Sequence, residues 1–199
     1  MQRNLFIIIL LASSSLFAIE NYSLDKVDRN KYSISSSSHF QSFKLSSEAS
    51  SNTVEASSDI SIMAQSFSLN FFLNEKIALV SSYFVALILD IDAEVQGFDV
   101  GFQYYFLNNG TSKEVSFSGS YIETTPGFSP YLYLGASTRD YQFSNFSLRF
   151  QGISAAIGMD YHFMDDYFVR ASGSFDYLLN NNVRTAQSLG ASLGLGYKF

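Results

Sequence analysis

From Ser188 to Phe199 the chain alternates without a break. Leu189, Ala191, Leu193, Leu195, Tyr197 and Phe199 hold the odd positions, and Ser188, Gly190, Ser192, Gly194, Gly196 and Lys198 the even ones. Successive side chains of a strand point to opposite faces, so this segment has one continuously apolar face and one small or polar face. Gln151–Phe163 repeats the pattern, with Ile153, Ile157, Met159, Tyr161 and Phe163 opposed by Gly152, Ser154, Gly158, Asp160 and His162. In Tyr167–Leu179, Tyr167, Val169, Phe175, Tyr177 and Leu179 oppose Arg170, Ser172, Ser174 and Asp176. In Gly97–Leu107, Phe98, Val100, Phe102, Tyr104 and Phe106 oppose Asp99, Gly101 and Gln103. Lys76–Asp90 collects Ile77, Leu79, Tyr83, Val85, Leu87 and Leu89 on one side, but its other side is also fairly apolar.

Clustered aromatics end four of these segments: Phe71-Phe72-Leu73-Asn74, Tyr104-Tyr105-Phe106-Leu107-Asn108, Tyr161-His162-Phe163-Met164-Asp165 and Tyr197-Lys198-Phe199. Membrane barrels place aromatic girdles where lipid meets water. These four strands are therefore expected to run down to one rim, while Lys76–Asp90, Pro130–Arg139 and Tyr167–Leu179 run up. An even-numbered barrel then needs a first strand, placed at Tyr32–Ser46, although that stretch is serine-rich and alternates poorly. Glu114–Glu123 is left over, with Val115, Phe117 and Tyr121 alternating against Ser116, Ser118 and Ser120. Both chain ends of an even-numbered barrel lie on one side. The leftover segment thus either extends its neighbours within the turn, the preferred reading, or replaces Tyr32–Ser46 and leaves residues 19–58 as a disordered arm. Asn74-Glu75-Lys76 and Met164-Asp165-Asp166 read as tight turns at the aromatic rim. Ser46–Asp59, Asp140–Ser147 and Asn180–Arg184 read as the opposite, outward loops.

Composition decides between a soluble sandwich and a membrane barrel. Aromatics make up 17% of the chain, all Phe and Tyr, against 15% charged residues. Beyond the first residues no apolar run reaches the roughly 20 residues of a spanning helix; Ile77–Ile91 comes nearest and is broken by Ser81, Ser82 and Asp90. The expected fold is all-β: a transmembrane, up-and-down antiparallel β-barrel of eight strands with its apolar face toward lipid.

The first residues fit export. Arg3 precedes an apolar run from Leu5 to Ala12, and Ser13 to Ala18 offers a cleavage region, the layout of a secretory signal peptide. Cleavage after Ala18 is expected, with Leu16 an imperfect −3 residue. The domains are then a signal peptide at 1–18, a lead-in at 19–31 and the barrel at 32–199. Removing Arg3 leaves 11 basic residues against 18 acidic ones, a net charge of −7. An acidic chain without a basic cluster argues against nucleic acid. The absence of Cys removes disulfides and thiolate metal sites.

Chemistry has little to work with. A hydrolase of this shape needs a His beside a nucleophile or an acid, and the chain has two His. His39 sits in the serine-rich stretch Ser37-Ser38-His39-Phe40. His162 shares an inward face with Asp160; a polar lumen network is the preferred reading and a catalytic pair the alternative. No ligand spacing suggests a metal. Gly190, Gly194 and Gly196 lie on one strand face and make room in a narrow lumen. The inward set Asp99, Arg139, Asp160, His162, Arg170 and Asp176 is the candidate lumen network. An eight-stranded barrel encloses just enough space for its own side chains, so these charges must pair. Phe163 opposite Tyr167 leaves a three-residue loop, a common hairpin length. That register sets His162 against Phe168, Tyr161 against Val169 and Asp160 against Arg170. The same rule sets Leu73 against Ile77.

Phe72-Leu73-Asn74-Glu75-Lys76-Ile77-Ala78-Leu79, Gly101-Phe102-Gln103-Tyr104-Tyr105-Phe106, Ser129-Pro130-Tyr131-Leu132-Tyr133-Leu134-Gly135, Ala156-Ile157-Gly158-Met159-Asp160-Tyr161 and the terminal strand together resemble one group. It is the small eight-stranded outer-membrane barrel superfamily, OmpA/OmpX-like, known simply as an outer membrane protein beta-barrel domain. The resemblance covers most of the mature chain. It implies a place in the bacterial outer membrane after passage through the periplasm, and an assembly signal at Tyr197 and Phe199 read by the barrel assembly machinery. It also implies lipid as the surrounding partner, a monomer and no cofactor. Because the group spans anchors, adhesins and minor pores, it specifies function poorly. The expected role is non-enzymatic, either structural or a surface interaction. A narrow pore for small solutes is the alternative, with a lipid-modifying enzyme third. With no peptidoglycan-binding domain following Phe199, wall anchoring is not expected.

Overall fold

The structure, a computed structural model, describes residues 31–47, 58–88, 93–111, 113–117, 120–124, 127–142, 147–164, 166–180 and 184–199. The expected leader at 1–18 and nearly all of the lead-in at 19–31 lie outside them. Among the described residues ten strands form: β1 (Tyr32–Ser47), β2 (Ser58–Asn74), β3 (Ile77–Ile88), β4 (Ala93–Tyr105), β5 (Lys113–Phe117), β6 (Ser120–Thr124), β7 (Phe128–Gln142), β8 (Ser147–His162), β9 (Tyr167–Asn180) and β10 (Arg184–Lys198). Eight of them close a barrel in the order β1-β10-β9-β8-β7-β4-β3-β2, every neighbouring pair antiparallel.

The period-2 pattern becomes an inside and an outside. On β10, Leu193 is 61% exposed and Ser192 8%. Phe98, Phe102, Leu132, Leu134, Ile153, Ile157 and Leu179 stand outward on the other strands. Polar and charged side chains, among them Asn70, Gln103, Asp160 and Asp176, are buried inside. This is the reverse of a soluble protein, and hydrocarbon is the solvent such a surface matches.

At the end of β10 the chain closes on its first strand. Tyr32 and Phe199 exchange backbone hydrogen bonds, 3.1 Å from Tyr32 N to Phe199 O and 2.9 Å in return. Their rings stack at 5.8 Å, and Phe199 also stacks on Tyr197. Tyr167 lies against Tyr197, and Phe128 against Tyr161, continuing the aromatic rim.

The structure corrects three local expectations. Glu114–Glu123 is not one strand but a reversal: β5 and β6 form a separate two-stranded sheet, with Phe117 paired to Ser120. A Ser-Gly dipeptide at 118–119, a turn signal, falls between them. Tyr32–Ser46 keeps its place in the barrel. Leu73 does not face Ile77, since the register shifts between Phe72 and Asn74 and it is Asn74 that pairs with Ile77. The Asn74 side-chain oxygen accepts hydrogen bonds from the amides of Lys76 and Ile77, both 2.9 Å. This Asx-type closure tightens the turn and leaves Leu73 outward as a bulge. Finally, the outward loop expected at Asp140–Ser147 begins later, because β7 runs on to Gln142. Asp140 pairs laterally with Arg149 and forms an ion pair with it, Nε to Oδ1 2.6 Å.

The lumen as candidate functional site

Among the described residues, two clusters of buried side chains lie at different heights in the barrel. Toward the outward loops, Phe43, Ile62, Phe84, Val95, Tyr141, Phe150 and Leu178 pack with Ala64, Ala86 and Ala186. The apolar inner face of β3, ambiguous in the sequence, has its reason here: Phe84 and Ala86 belong to this layer. Toward the aromatic rim, Phe72, Ala78, Tyr105 and Tyr131 form a second layer.

Ion pairs brace both layers. The Arg139 guanidinium grips Asp99 through Nη1 to Oδ1 at 2.6 Å and Nη2 to Oδ2 at 3.1 Å, and reaches Asp176 at 3.5 Å. Ser154 and Ser188 donate to the two Asp176 oxygens at 2.6 and 2.8 Å. Arg139 also lies 4.7 Å from the Phe84 ring centre, a cation–π contact with the outer layer. Its room comes from Gly97, where a Cβ would sit 2.6 Å from Arg139 Cδ. Lower down, Arg170 donates Nε and Nη2 to the two oxygens of Asp160, both at 2.8 Å. Tyr105 donates its hydroxyl to Asp160 at 2.8 Å and accepts from Gln103 at 2.6 Å. Arg170 stacks against the rings of Tyr131 and Phe168.

A strap, residues 106–111 after β4, is bonded to the turn between β2 and β3 at this end of the barrel. Gly110 N donates to the Glu75 carbonyl at 2.8 Å, Asn109 donates its amide to the Glu75 carboxylate at 2.8 Å, and Ser129 donates to the Asn109 carbonyl at 2.7 Å. Gly110 lies flat on Tyr105, where a Cβ would meet the ring at 2.3 Å.

The structure thus joins Asp99, Arg139 and Asp176 in one group and Asp160 with Arg170 in another. His162 stands apart: its Nε2 lies 3.4 Å from Lys198 Nζ, and its ring leans on Phe168. The carboxylate–His pair considered for Asp160 and His162 is not formed, because Arg170 and Tyr105 occupy the Asp160 oxygens. Sequence reasoning missed Tyr105, Lys198 and the pairing of His39 with Ser66, at 2.6 Å from Nε2 to Oγ. A histidine beside a hydroxyl is half of a nucleophilic dyad, but His39 Nδ1 has no hydrogen-bond partner, so no acid orients the ring as the triad logic requires. Among the described residues, no group of three potential ligands could hold a metal ion.

No known protein family and no curated protein matches the chain by sequence. Solved structures match it in fold. Neisserial surface protein A superposes with a TM-score of 0.58 at 14% identity, covering 85% of this chain and 97% of that one. OprG from Pseudomonas aeruginosa gives 0.52 at 11% identity, over 86% and 97%. Ail, the attachment invasion locus protein of Yersinia pestis, in complex with the heparin analogue sucrose octasulfate, gives 0.50 at 15% identity, over 85% and 99%. The chain has the fold of the small eight-stranded barrels of bacterial outer membranes, the class its sequence resembles.

Proposed function

We propose that this chain is a non-enzymatic barrel of the bacterial outer membrane with a structural or surface-interaction role, and that its lumen does not conduct. The observation that carries the reading is the pair of packed layers across the lumen, one around Phe84 and Phe150, the other around Phe72 and Tyr105. A pore needs a continuous wet path, and both layers interrupt it with aromatic rings. The fold it shares with a neisserial surface protein and an attachment invasion protein supports a role on the outer surface. Reconstituted into planar bilayers, the purified protein should give no conductance steps above the lipid background. Reproducible openings would favour the narrow pore instead. Lipid hydrolysis that disappears with His162→Ala or His39→Ala would favour an enzyme.

A further inference from the structure

The lipid-facing wall is not uniform. Ser38 and Gln65 pair across β1 and β2, six residues above the rim pair of Tyr32 and Phe71. At ~3.3 Å per residue on strands tilted by about 40°, that is about 15 Å into an apolar band roughly 25 Å tall. Ser36, Ser38 and Gln65 are partly exposed on the outer face, while Ser35, Ser37 and Ser66 between them are buried inside. Ser38 donates to Gln65 Oε1 at 3.0 Å, and Gln65 Nε2 donates to Ser36 at 2.6 Å. On the opposite wall the outward residues Leu132, Leu134, Ile157 and Phe175 are all apolar. Beside the serines runs a groove of about 410 Å³, lined by Ile34, Ser36, Phe67, Tyr83, Phe98 and Leu195 among others. Leu195 pairs with Ser36, Ser36 with Phe67 and Phe67 with Tyr83. The short serine thus leaves a dip in a row of large side chains.

We propose that this face binds a second copy of the chain within the membrane, in place of the monomer that the resemblance implies. Hydrocarbon supplies no hydrogen-bond partner, so polar side chains at this depth cost free energy that a protein neighbour recovers. Helices that associate in membranes meet through small residues, which admit a close approach, and polar ones, which bond across it; neither reason is particular to helices. The Gln65 amide has two hydrogens and gives one to Ser36, leaving the other and the Ser36 hydroxyl hydrogen to be given. A lipid chain fills the groove but meets neither donor. The occupant that matches the face is its own copy. Ser and Gln each donate and accept, so the cluster is complementary to its two-fold mate. Leu195, Ser36, Phe67, Tyr83 and Phe98 carry no charge to repel it. Barrels inserted the same way are related by an axis along the membrane normal, and such a contact is isologous. An axis between β1 and β2 brings the β1 serines of each copy to Gln65 of the other, and the Leu195 ridge of each to the other's groove. The inference goes beyond the closed-barrel reading and does not depend on it, since a conducting barrel could pair by the same face.

The test is self-association of the purified protein, read by sedimentation equilibrium in density-matched detergent and by energy transfer between labelled copies in vesicles diluted with lipid. Wild-type protein should be dimeric by both. The double variant Ser36→Leu, Gln65→Leu sets hydrocarbon against lipid, so it should keep a folded, heat-modifiable barrel while its association weakens by about tenfold or more. Gln65→Met, which keeps the length of the side chain, is the second variant and should weaken association in the same direction. Leu134→Ala on the opposite wall should leave it unchanged. Wild-type protein that stays monomeric in vesicles would overturn the inference, and a lipid chain would then be the groove's occupant. So would a folded Gln65→Met or double variant that associates as wild type does, or an equal loss from Leu134→Ala. Bilayer conductance reads the closed-barrel proposal separately.

Discussion

Asp160 and Arg170 face one another across the hairpin between β8 and β9, and the guanidinium holds both carboxylate oxygens at 2.8 Å. Both side chains are buried. Removing one partner strands a charge in a medium of low polarity, so Asp160→Asn or Arg170→Met should cost about 3–5 kcal/mol in urea unfolding from lipid vesicles. Replacing both with Leu and Met should cost far less than either single change, even though the Tyr105 hydroxyl loses its acceptor. Additive losses in that series would show the pair to be uncoupled.

The two faces of β10 differ in what a charge meets. Leu193→Arg puts a cation into hydrocarbon and should destabilise the barrel by about 2–4 kcal/mol. Ser192→Arg points to the lumen and should escape that lipid penalty, though it crowds Ser172, 2.6 Å away. Folding efficiency in bilayers of increasing thickness separates the two. Only the Leu193 variant should worsen as the bilayer thickens.

Phe199 carries both a rim aromatic and the last backbone pairing to Tyr32. Deleting it should leave the protein in the periplasm or degraded if the assembly machinery reads this end. Heat-modifiable, membrane-inserted protein from the truncated gene would count against that.

The strap offers a contrast between two glycines. A side chain at Gly110 collides with the Tyr105 ring, whereas Gly127 has open space around it. Gly110→Val should lift the strap, cost about 1–3 kcal/mol and speed trypsin cleavage near Lys113. Gly127→Ala should do neither.

Alternation announced most of the barrel because lipid outside and small or polar groups inside give the strongest possible period-2 contrast, as on β8 and β10. It also placed Asp160 opposite Arg170, because loop length fixes register. Where contrast fails, the sequence is mute. β1 carries serine on both faces: Ser33, Ser35 and Ser37 are buried inside, while Ser36 and Ser38 face outward and bond to Gln65. Tyr105 was hidden for a different reason. It continues the inward series Asp99, Gly101, Gln103, yet it sits in an aromatic cluster that reads as girdle. The reversal within Glu114–Glu123 leaves alternation intact on both arms, so periodicity alone cannot reveal it. Leu73 was displaced by a side-chain cap that no count of loop residues contains.

The seam between β1 and β10 joins positions about 160 residues apart along the chain, as Ser37 beside Gly194 illustrates. Contacts of such long range form late and slowly. Until the final strand arrives, every partial sheet carries two raw edges, each a template for pairing with a stranger. A chain wired this way is vulnerable in water throughout its synthesis and transit. Its topology therefore sets an order: no closed form exists until β10 has found β1.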